Sequence, residues 1–349
     1  MARGQDLAGQ EARQRATGVA LRAFSRRSCL RAHAAPVASR RLLVFLAALV
    51  VVPTAPAANH VAASLSAWRG ANWPALTDRV ALVRAWPVEY RAHDGATRTA
   101  VVVLPRWYGP RHDPPIPLVI SPHGSGVEPG ANARRWGNLP ALGGFAVVNP
   151  EGQGARLALY SWGSPGEIAD LARMPRIVHE ALPWLRIDRR RIYAVGGSMG
   201  GQETLLLAAE HPRLLAGAVS FDAPTNMAAR YAAFPRLKDG RALQELARLE
   251  FGGIPRMNHE AWADRSPLFY ARELAFARLP LEIWWSTHDR IVVDQRDQSG
   301  LLYRAIMRLN ARAPVTQFVG RWRHTAEMQP LRRLPVALAR IGLLRLTRP

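Results

Sequence analysis

The segment that most constrains the fold of this chain is a serine enclosed by glycines. Residues 191–209 read RIYAVGGSMGGQETLLLAA and contain the motif Gly196-x-Ser198-x-Gly200. The apolar run before the motif predicts a strand, and the Leu/Ala-rich stretch after it predicts a helix. A strained strand-to-helix turn needs glycines there, because larger side chains two residues from the serine would collide with nearby backbone. We interpret Ser198 as a nucleophile; a flexible turn that happens to hold a serine is the alternative.

The rest of the chain supports this setting, because short apolar strands alternate with helical segments. Strands are predicted at 80–92, 97–105, 116–122, 144–150, 191–197, 215–221, 281–287 and 315–320. Helices are predicted at 166–185, 201–211 and 294–310 and within 325–346. Nearly continuous apolar strands are typical of a parallel sheet covered on both faces. The predicted fold class is α/β, with a mostly parallel eight-stranded sheet and helices on both faces.

One segment, residues 223–266, interrupts the alternation. It contains three prolines, several aromatic residues and a single short predicted helix, GRALQELARLE at 240–250. An insertion of this length between two strands is commonly functional. We expect it to form a small lid or the wall of a pocket.

A serine nucleophile needs a base, and the expected order along this fold is serine, acid, histidine. Asp289 follows the strand in WWSTHDRIVV, and His324 follows the next strand in GRWRHTAEM. His324 is the candidate base for Ser198, and Asp289 the candidate acid that orients the imidazole. The alternatives that remain open are His211, His259 and His288 for the base and Asp222 for the acid.

Acyl transfer also needs donors for the developing oxyanion. One candidate is the backbone N–H of Met199, the residue after the nucleophile. The second is the N–H of Gly124 or Ser125, in the loop His123-Gly124-Ser125-Gly126 after the third strand. Glycines in such a loop let amides point at one oxygen atom. We expect His123 to orient the loop rather than to act as an acid or base.

Three stretches resemble the catalytic domain of the prolyl oligopeptidase family, within the α/β-hydrolase superfamily. They are WLRIDRRRIYAVGGSMGG at 184–201, the segment 251–293 with its Gly-Gly-x-Pro and Arg-Ser-Pro motifs, and the HGSG loop. The similarity extends over roughly 115–330. It implies an α/β-hydrolase fold, with Ser198 as nucleophile, Asp289 as acid and His324 as base. It also favours a serine peptidase.

Two departures from that family leave a carboxylesterase as the alternative. Fewer than 60 residues separate the expected leader from the third predicted strand, so we expect no β-propeller before the catalytic domain. The glycine that usually precedes the acid is replaced in the sequence Ser286-Thr287-His288-Asp289. Secreted esterases similar to polyhydroxybutyrate depolymerases and feruloyl esterases share the same fold and the same order of site residues.

The N-terminus has the features of an export signal. Residues 1–41 contain nine arginines and two acidic residues, and they precede the apolar run LLVFLAALVVV at 42–52 and an Ala55-Pro56-Ala57 cleavage site. We therefore expect a leader at 1–57, a catalytic domain at 58–349, and a secreted or cell-envelope protein. Paired arginines allow the twin-arginine route as well as the general secretory route. Anchoring by residues 42–52 is the alternative.

The amino-acid composition limits the kinds of binding partner that we expect. The net charge of +21 is carried almost wholly by arginine, with Lys238 as the single lysine, and these arginines are scattered. We interpret them as solvated surface and expect no specific nucleic-acid partner; a non-catalytic polyanion- or envelope-binding protein is the third alternative. Cys29 is the only cysteine. Neither a phosphate-binding glycine loop nor a metal-ligand spacing occurs, so we expect no metal or cofactor. The expected partner is a small-molecule or short-peptide substrate; the oligomeric state is left open.

Overall fold

The apolar segments form one eight-stranded sheet in the computed structural model, which describes residues 81–152 and 161–344. The strands are β1 Val83–Arg91, β2 Thr97–Pro105, β3 Ile116–Ile120, β4 Ala146–Pro150, β5 Ile187–Gly197, β6 Gly217–Phe221, β7 Leu281–Ser286 and β8 Val315–Gly320. Each predicted strand is present, with ends displaced by a few residues. The expected leader at 1–57 lies outside the described residues. Among those that are described, no helix combines the length and apolar character needed to cross a membrane.

The strand order is β1-β2-β4-β3-β5-β6-β7-β8. The hairpin β1–β2 and the pair β2–β4 are antiparallel, and the remaining pairs are parallel. Gly197 at the end of β5 pairs with Phe221 at the end of β6, and Ser286 of β7 pairs with Gly320 of β8. The carboxyl ends of four consecutive strands therefore meet at one edge of the sheet, which is where open α/β sheets bind ligands.

Helices cover both faces of this sheet. They are α1 Pro129–Arg134, α2 Leu139–Gly143, α3 Pro165–Ala181, α4 Met199–Glu210, α5 Met227–Ala233, α6 Gly240–Glu250, α7 His259–Asp264, α8 Ala271–Phe276, α9 Ser299–Leu309 and α10 Leu334–Arg340. Two short 3₁₀ helices lie at Phe234–Arg236 and Pro267–Tyr270. The predicted α/β-hydrolase fold class is confirmed.

The core is divided into two layers by the alternation of side chains along the strands. In β3, Leu118 and Ile120 join the cluster that includes residues of α3, α4 and α9, whereas Val119 joins the cluster on the opposite face with residues of α1 and α10. All three side chains are fully buried. The continuous apolar character of β3 follows, since neither of its faces meets water.

The insertion at 223–266 has a core of its own. Phe234, Phe251 and Trp262 are buried together with Met199 at the start of α4, and the rings of Phe251 and Trp262 lie 4.2 Å apart between centroids. The two ends of the insertion meet, because the N–H of Met227 donates to Oγ of Ser266 at 2.9 Å. The predicted helix at 240–250 is present as α6, and α5 and α7 accompany it.

Candidate active site

Ser198 occupies a strained backbone conformation between β5 and α4. Its φ of 59° and ψ of −127° lie outside the regions that side chains normally allow. The turn is held by its backbone, because the N–H of Ser198 donates to the carbonyl of Phe221 at 2.8 Å. The residue is half-buried at the edge of the sheet.

The glycines on either side of Ser198 are required sterically, as the sequence motif predicts. A Cβ atom added to Gly196 would lie 2.2 Å from the carbonyl oxygen of Gly200. A Cβ atom added to Gly200 would lie 2.2 Å from the carbonyl oxygen of Pro122. Both contacts are with backbone, which cannot move aside as a flexible side chain can. Only glycine fits at these two positions.

Asp289 and His324 are joined by a hydrogen bond between the loops after β7 and β8. Nδ1 of His324 lies 2.7 Å from Oδ2 of Asp289. The carboxylate is buried, and its Oδ1 accepts from the N–H groups of Ile291 and Val292 at 2.8 and 3.0 Å. With Nδ1 as the donor, Nε2 is left as the basic nitrogen of the neutral ring.

The turn that carries the histidine packs against the serine turn. A Cβ atom added to Gly197 would lie 2.9 Å from Cγ2 of Thr325, the neighbour of His324, and 2.8 Å from Sδ of Met328. Within the described part of the chain, the hydroxyl of Ser198 makes no hydrogen bond to the imidazole. Such bonds are often long in unliganded hydrolases and tighten when substrate binds.

The predicted oxyanion loop lies on the other side of the serine. A Cβ atom added to Gly124 would be 3.9 Å from Cβ of Ser198. His123 is buried, with Nδ1 2.8 Å from the carbonyl oxygen of Gly124 and Nε2 against that of Glu151. These are the contacts expected of a residue that orients the loop. The hydroxyl of Ser125 is buried and has no hydrogen-bond partner among the described residues.

Asp222, the alternative acid, lies at the end of β6 and bonds to the neighbouring loops rather than to the imidazole. Its Oδ1 accepts from the N–H of Ser286 at 2.8 Å. Its Oδ2 accepts from the indole of Trp322 at 2.9 Å and from the N–H of Thr325 at 2.7 Å. Burial raises the pKa of Asp222 to about 6, and the nearby carboxylate of Asp289 contributes to the rise. These contacts join residues that are far apart in sequence, so no local sequence pattern indicates them.

The other candidate histidines lie elsewhere. His211 follows the last turn of α4, and the ring of His259 lies edge-on to Phe269. His288 is exposed, with Nε2 2.8 Å from a guanidinium nitrogen of Arg321. The structure brings His324, and none of these three, into a hydrogen bond with Asp289.

A buried acid also connects Ser161, which follows β4 in sequence, to helix α4. Glu203 of α4 accepts a hydrogen bond of 2.5 Å from the hydroxyl of Ser161. Burial raises the pKa of Glu203 well above its ordinary value, and the nearby Glu167 carboxylate raises it further. Ser161 also contacts Sδ of Met199 at 3.7 Å, so it supports the residue that follows Ser198.

One cluster has the composition of a metal-ligand set. Ligand atoms of Asp222, Asp289 and His324 all lie within 4.8 Å of one another. Each carboxylate oxygen already accepts hydrogen bonds from the loops around it, and one of these bonds comes from the histidine itself. The contacts are therefore explained by an acid–histidine pair with a supporting carboxylate, without an ion.

Comparison with known proteins places these features in a family context. Residues 168–313 match the model of the prolyl oligopeptidase family, Peptidase_S9, which is less than half of the chain. NocK of Nocardia uniformis subsp. tsuyamanensis, provisionally described as an esterase, is 33% identical over 168 residues, covering 42% of this chain and 47% of that protein. The chain therefore aligns with about half the length of this curated relative.

The chain is similar to proteins of the prolyl oligopeptidase family over residues 168–313.

Solved structures of similar fold support the architecture described above. The acylaminoacyl peptidase of Pyrococcus horikoshii is 19% identical with a TM-score of 0.57, covering 75% of this chain and 41% of that one. The S-formylglutathione hydrolase FrmB of Staphylococcus aureus is 18% identical with a TM-score of 0.53, covering 76% of this chain and all of that one. Esterase rPPE, solved as a point mutant, is 16% identical with a TM-score of 0.55, covering 82% and 86%. At these identities the likeness concerns the fold alone.

Proposed function

We propose that the protein is an exported serine hydrolase that cleaves peptide or ester bonds through an acyl-enzyme on Ser198, with His324 as base and Asp289 as orienting acid. The observation that carries the proposal is the 2.7 Å hydrogen bond between His324 and Asp289 at the sheet edge that also holds the strained serine. The packing of Gly197 against Thr325 supports the proposal, because this contact keeps the turn that carries His324 beside the turn that carries Ser198.

The chemistry follows from these positions. Nε2 of His324 takes the proton of the Ser198 hydroxyl while Oγ attacks the carbonyl carbon of the substrate. Asp289 holds the ring with Nδ1–H toward itself and stabilises the imidazolium that forms. The imidazolium then protonates the leaving amine or alcohol. A water molecule, deprotonated by the same imidazole, finally attacks the acyl-enzyme and releases the acid.

Negative charge on the tetrahedral intermediate needs donors and a favourable field. The N–H of Met199 and the N–H of Gly124 or Ser125 are the proposed donors. Met199 is the first residue of α4, so the positive end of the helix dipole also faces the developing charge. Removing one oxyanion donor typically costs about 10²–10³-fold in kcat.

Short peptides are the substrates we place first, because the matching family model is that of the prolyl oligopeptidase family. Carboxylic esters are the second candidate, since the curated relative NocK is provisionally described as an esterase. In either case we propose that the insertion at 223–266 selects the substrate. Its aromatic core is packed directly on Met199 and so adjoins the serine.

We propose export because residues 1–57 contain a basic region, then an apolar run and then small residues, as a signal peptide does. N-terminal sequencing of protein recovered from the periplasm or the medium of a bacterial host tests it. The expected result is a mature chain that begins at Ala58, directly after the proposed cleavage site. A chain retained in the membrane through residues 42–52 would instead support the anchored alternative.

A fluorophosphonate probe tests the proposed nucleophile. The expected result is a single labelled residue, Ser198, identified by peptide mass spectrometry, with no labelling of Ser198→Ala. Matched p-nitrophenyl esters and p-nitroanilides of the same acyl groups, in several sizes, then separate esterase from peptidase activity. Unchanged ester hydrolysis in Ser198→Ala would contradict the assignment of the nucleophile. Absence of both labelling and hydrolysis in the wild type would favour a binding protein on the same fold.

A further inference from the structure

Asp222 is a fully buried carboxylate at the end of β6, between the loop that carries Asp289 and the loop that carries His324. Its own φ of 47° is unusual for a residue other than glycine. A charged side chain is seldom buried in this way unless it is well bonded. Its contacts therefore call for an explanation.

On the acid side, Asp222 fixes the end of β7. Its Oδ1 accepts from the N–H of Ser286 at 2.8 Å. His288, the residue before Asp289, in turn donates its N–H to the hydroxyl of Ser286 at 3.0 Å. The position of the acid thus depends on the bond between Asp222 and Ser286.

On the base side, Asp222 fixes both flanks of the histidine turn. Its Oδ2 accepts from Nε1 of Trp322 at 2.9 Å and from the N–H of Thr325 at 2.7 Å. Thr325 has a φ of 54°, a strained conformation for a residue other than glycine that persists only where neighbours enforce it. The hydrogen bond that its N–H donates to Asp222 holds this conformation next to the base.

The negative charge of Asp222 also acts on the imidazole of His324. The groups that face Asp222 are the carboxylate of Asp289 and the imidazole of His324, with ligand atoms of all three within 4.8 Å. A second carboxylate this close favours the imidazolium that forms during catalysis. Asp222 therefore acts on the histidine in two ways, through the backbone and through its charge.

We propose that Asp222 is a positioning residue that sets the acid and the base of the site relative to one another and supports the charge on His324. This inference rests on the proposed function, because it assumes that His324 is the base. It assigns no contact between Asp222 and the substrate.

The test is a double-mutant cycle with Asp222→Asn, Asp289→Asn and the double variant, using p-nitrophenyl acetate. In Asp222→Asn we expect kcat to fall by about 10–100-fold with KM within about twofold of wild type, because positioning affects the chemical step. In the Asp289→Asn background, the second substitution should cost no more than about threefold, since there is no longer an acid–base pair to position. The acidic limb of the pH profile of kcat/KM should move to lower pH in Asp222→Asn, because the site loses a negative charge beside the ring.

Asp188→Asn, at the opposite end of β5, is the matched control and should retain wild-type kinetics. If the loss of kcat in the double variant equals the product of the two single losses, and the pH profile of Asp222→Asn does not move, the proposal is overturned and Asp222 is a structural residue. If Asp222→Asn does not fold, as judged by circular dichroism, Trp322→Phe removes one donor to the carboxylate and is put through the same cycle. The criteria for kcat and KM are then the same, but the pH profile should not move, because the charge of Asp222 remains. Fluorophosphonate labelling of wild-type Ser198 separates the two proposals, because it reports on the function whatever the Asp222 variants do.

Discussion

Thirty-five positions separate His324 from Asp289 in sequence, and one hydrogen bond of 2.7 Å joins them. In Asp289→Asn the amide would favour the wrong tautomer of the ring. We expect kcat/KM for ester hydrolysis to fall by about 10³–10⁴-fold, as in the general Ser-His-Asp template, with the fold retained. Steady-state kinetics beside a thermal melt would check this. A loss below tenfold would mean that the pair is not part of the reaction.

Gly200→Ala should damage the site through a steric conflict with the oxyanion loop. The new Cβ would lie 2.2 Å from the carbonyl oxygen of Pro122, so the loop or the helix must move. We expect an unfolding free energy lower by about 1–3 kcal/mol and at least a tenfold loss of kcat. Gly109→Ala is the control, because nothing lies within 4 Å of its added Cβ. Equal behaviour of the two variants would contradict the steric argument.

Ser198→Gly should be more stable than Ser198→Ala by about 1 kcal/mol. Both variants lose the hydroxyl, so their difference isolates the backbone conformation at φ 59°. Glycine adopts this conformation without the strain of about 1–3 kcal/mol, but loses about 0.5–1 kcal/mol in chain entropy. Urea unfolding followed by tryptophan fluorescence measures the difference. An alanine variant of equal or greater stability would show that the turn is relaxed.

The stability contributed by Asp222 should depend on pH in a defined direction. Burial raises its pKa from 3.8 to about 6, so the folded chain binds this proton more tightly than the unfolded chain. The unfolding free energy then decreases as pH rises between these values. Relative to Asp222→Asn, which cannot titrate, wild type should lose about 2 kcal/mol between pH 4 and pH 7. Denaturant titrations at both pH values check this, and a constant difference would contradict it.

Trp262→Ala should destabilise the insertion by removing its largest buried ring. Trp262 is 2% exposed and packs on Phe251 and Tyr231, so the expected cost is about 3–5 kcal/mol. Leu249→Ala is the matched control, because Leu249 is 75% exposed and its loss should change stability by less than about 0.5 kcal/mol. Equal unfolding midpoints in urea for the two variants would show that the ring cluster adds nothing.

The sheet could be predicted from the sequence because its strands are buried on both faces and read as short apolar runs. Helix ends were less accurate. The helix predicted at 166–185 ends at Ala181, before Pro183, and the one predicted at 294–310 begins at Ser299, after a turn in which the N–H of Asp297 bonds to Asp294. The helices α1, α2, α5, α7 and α8 were missed because five to seven residues are too few to display a helical period.

The site was predictable where local sequence carries the geometry. The glycines around Ser198 indicate the turn, and Asp289 and His324 each follow an apolar strand in the expected order. Asp222 also follows a strand, but its partners Ser286 and Trp322 are 64 and 100 residues away. Such contacts depend on how three loops meet after folding, and a linear pattern does not record them.

The bond between Met227 and Ser266 closes the insertion upon itself, so that its two ends lie side by side. A segment anchored in this way can be exchanged as a unit, because a foreign loop whose ends are equally near would join the scaffold without disturbing the strands. Such a replacement must bring its own apolar side chains to cover Met199, which the native segment buries.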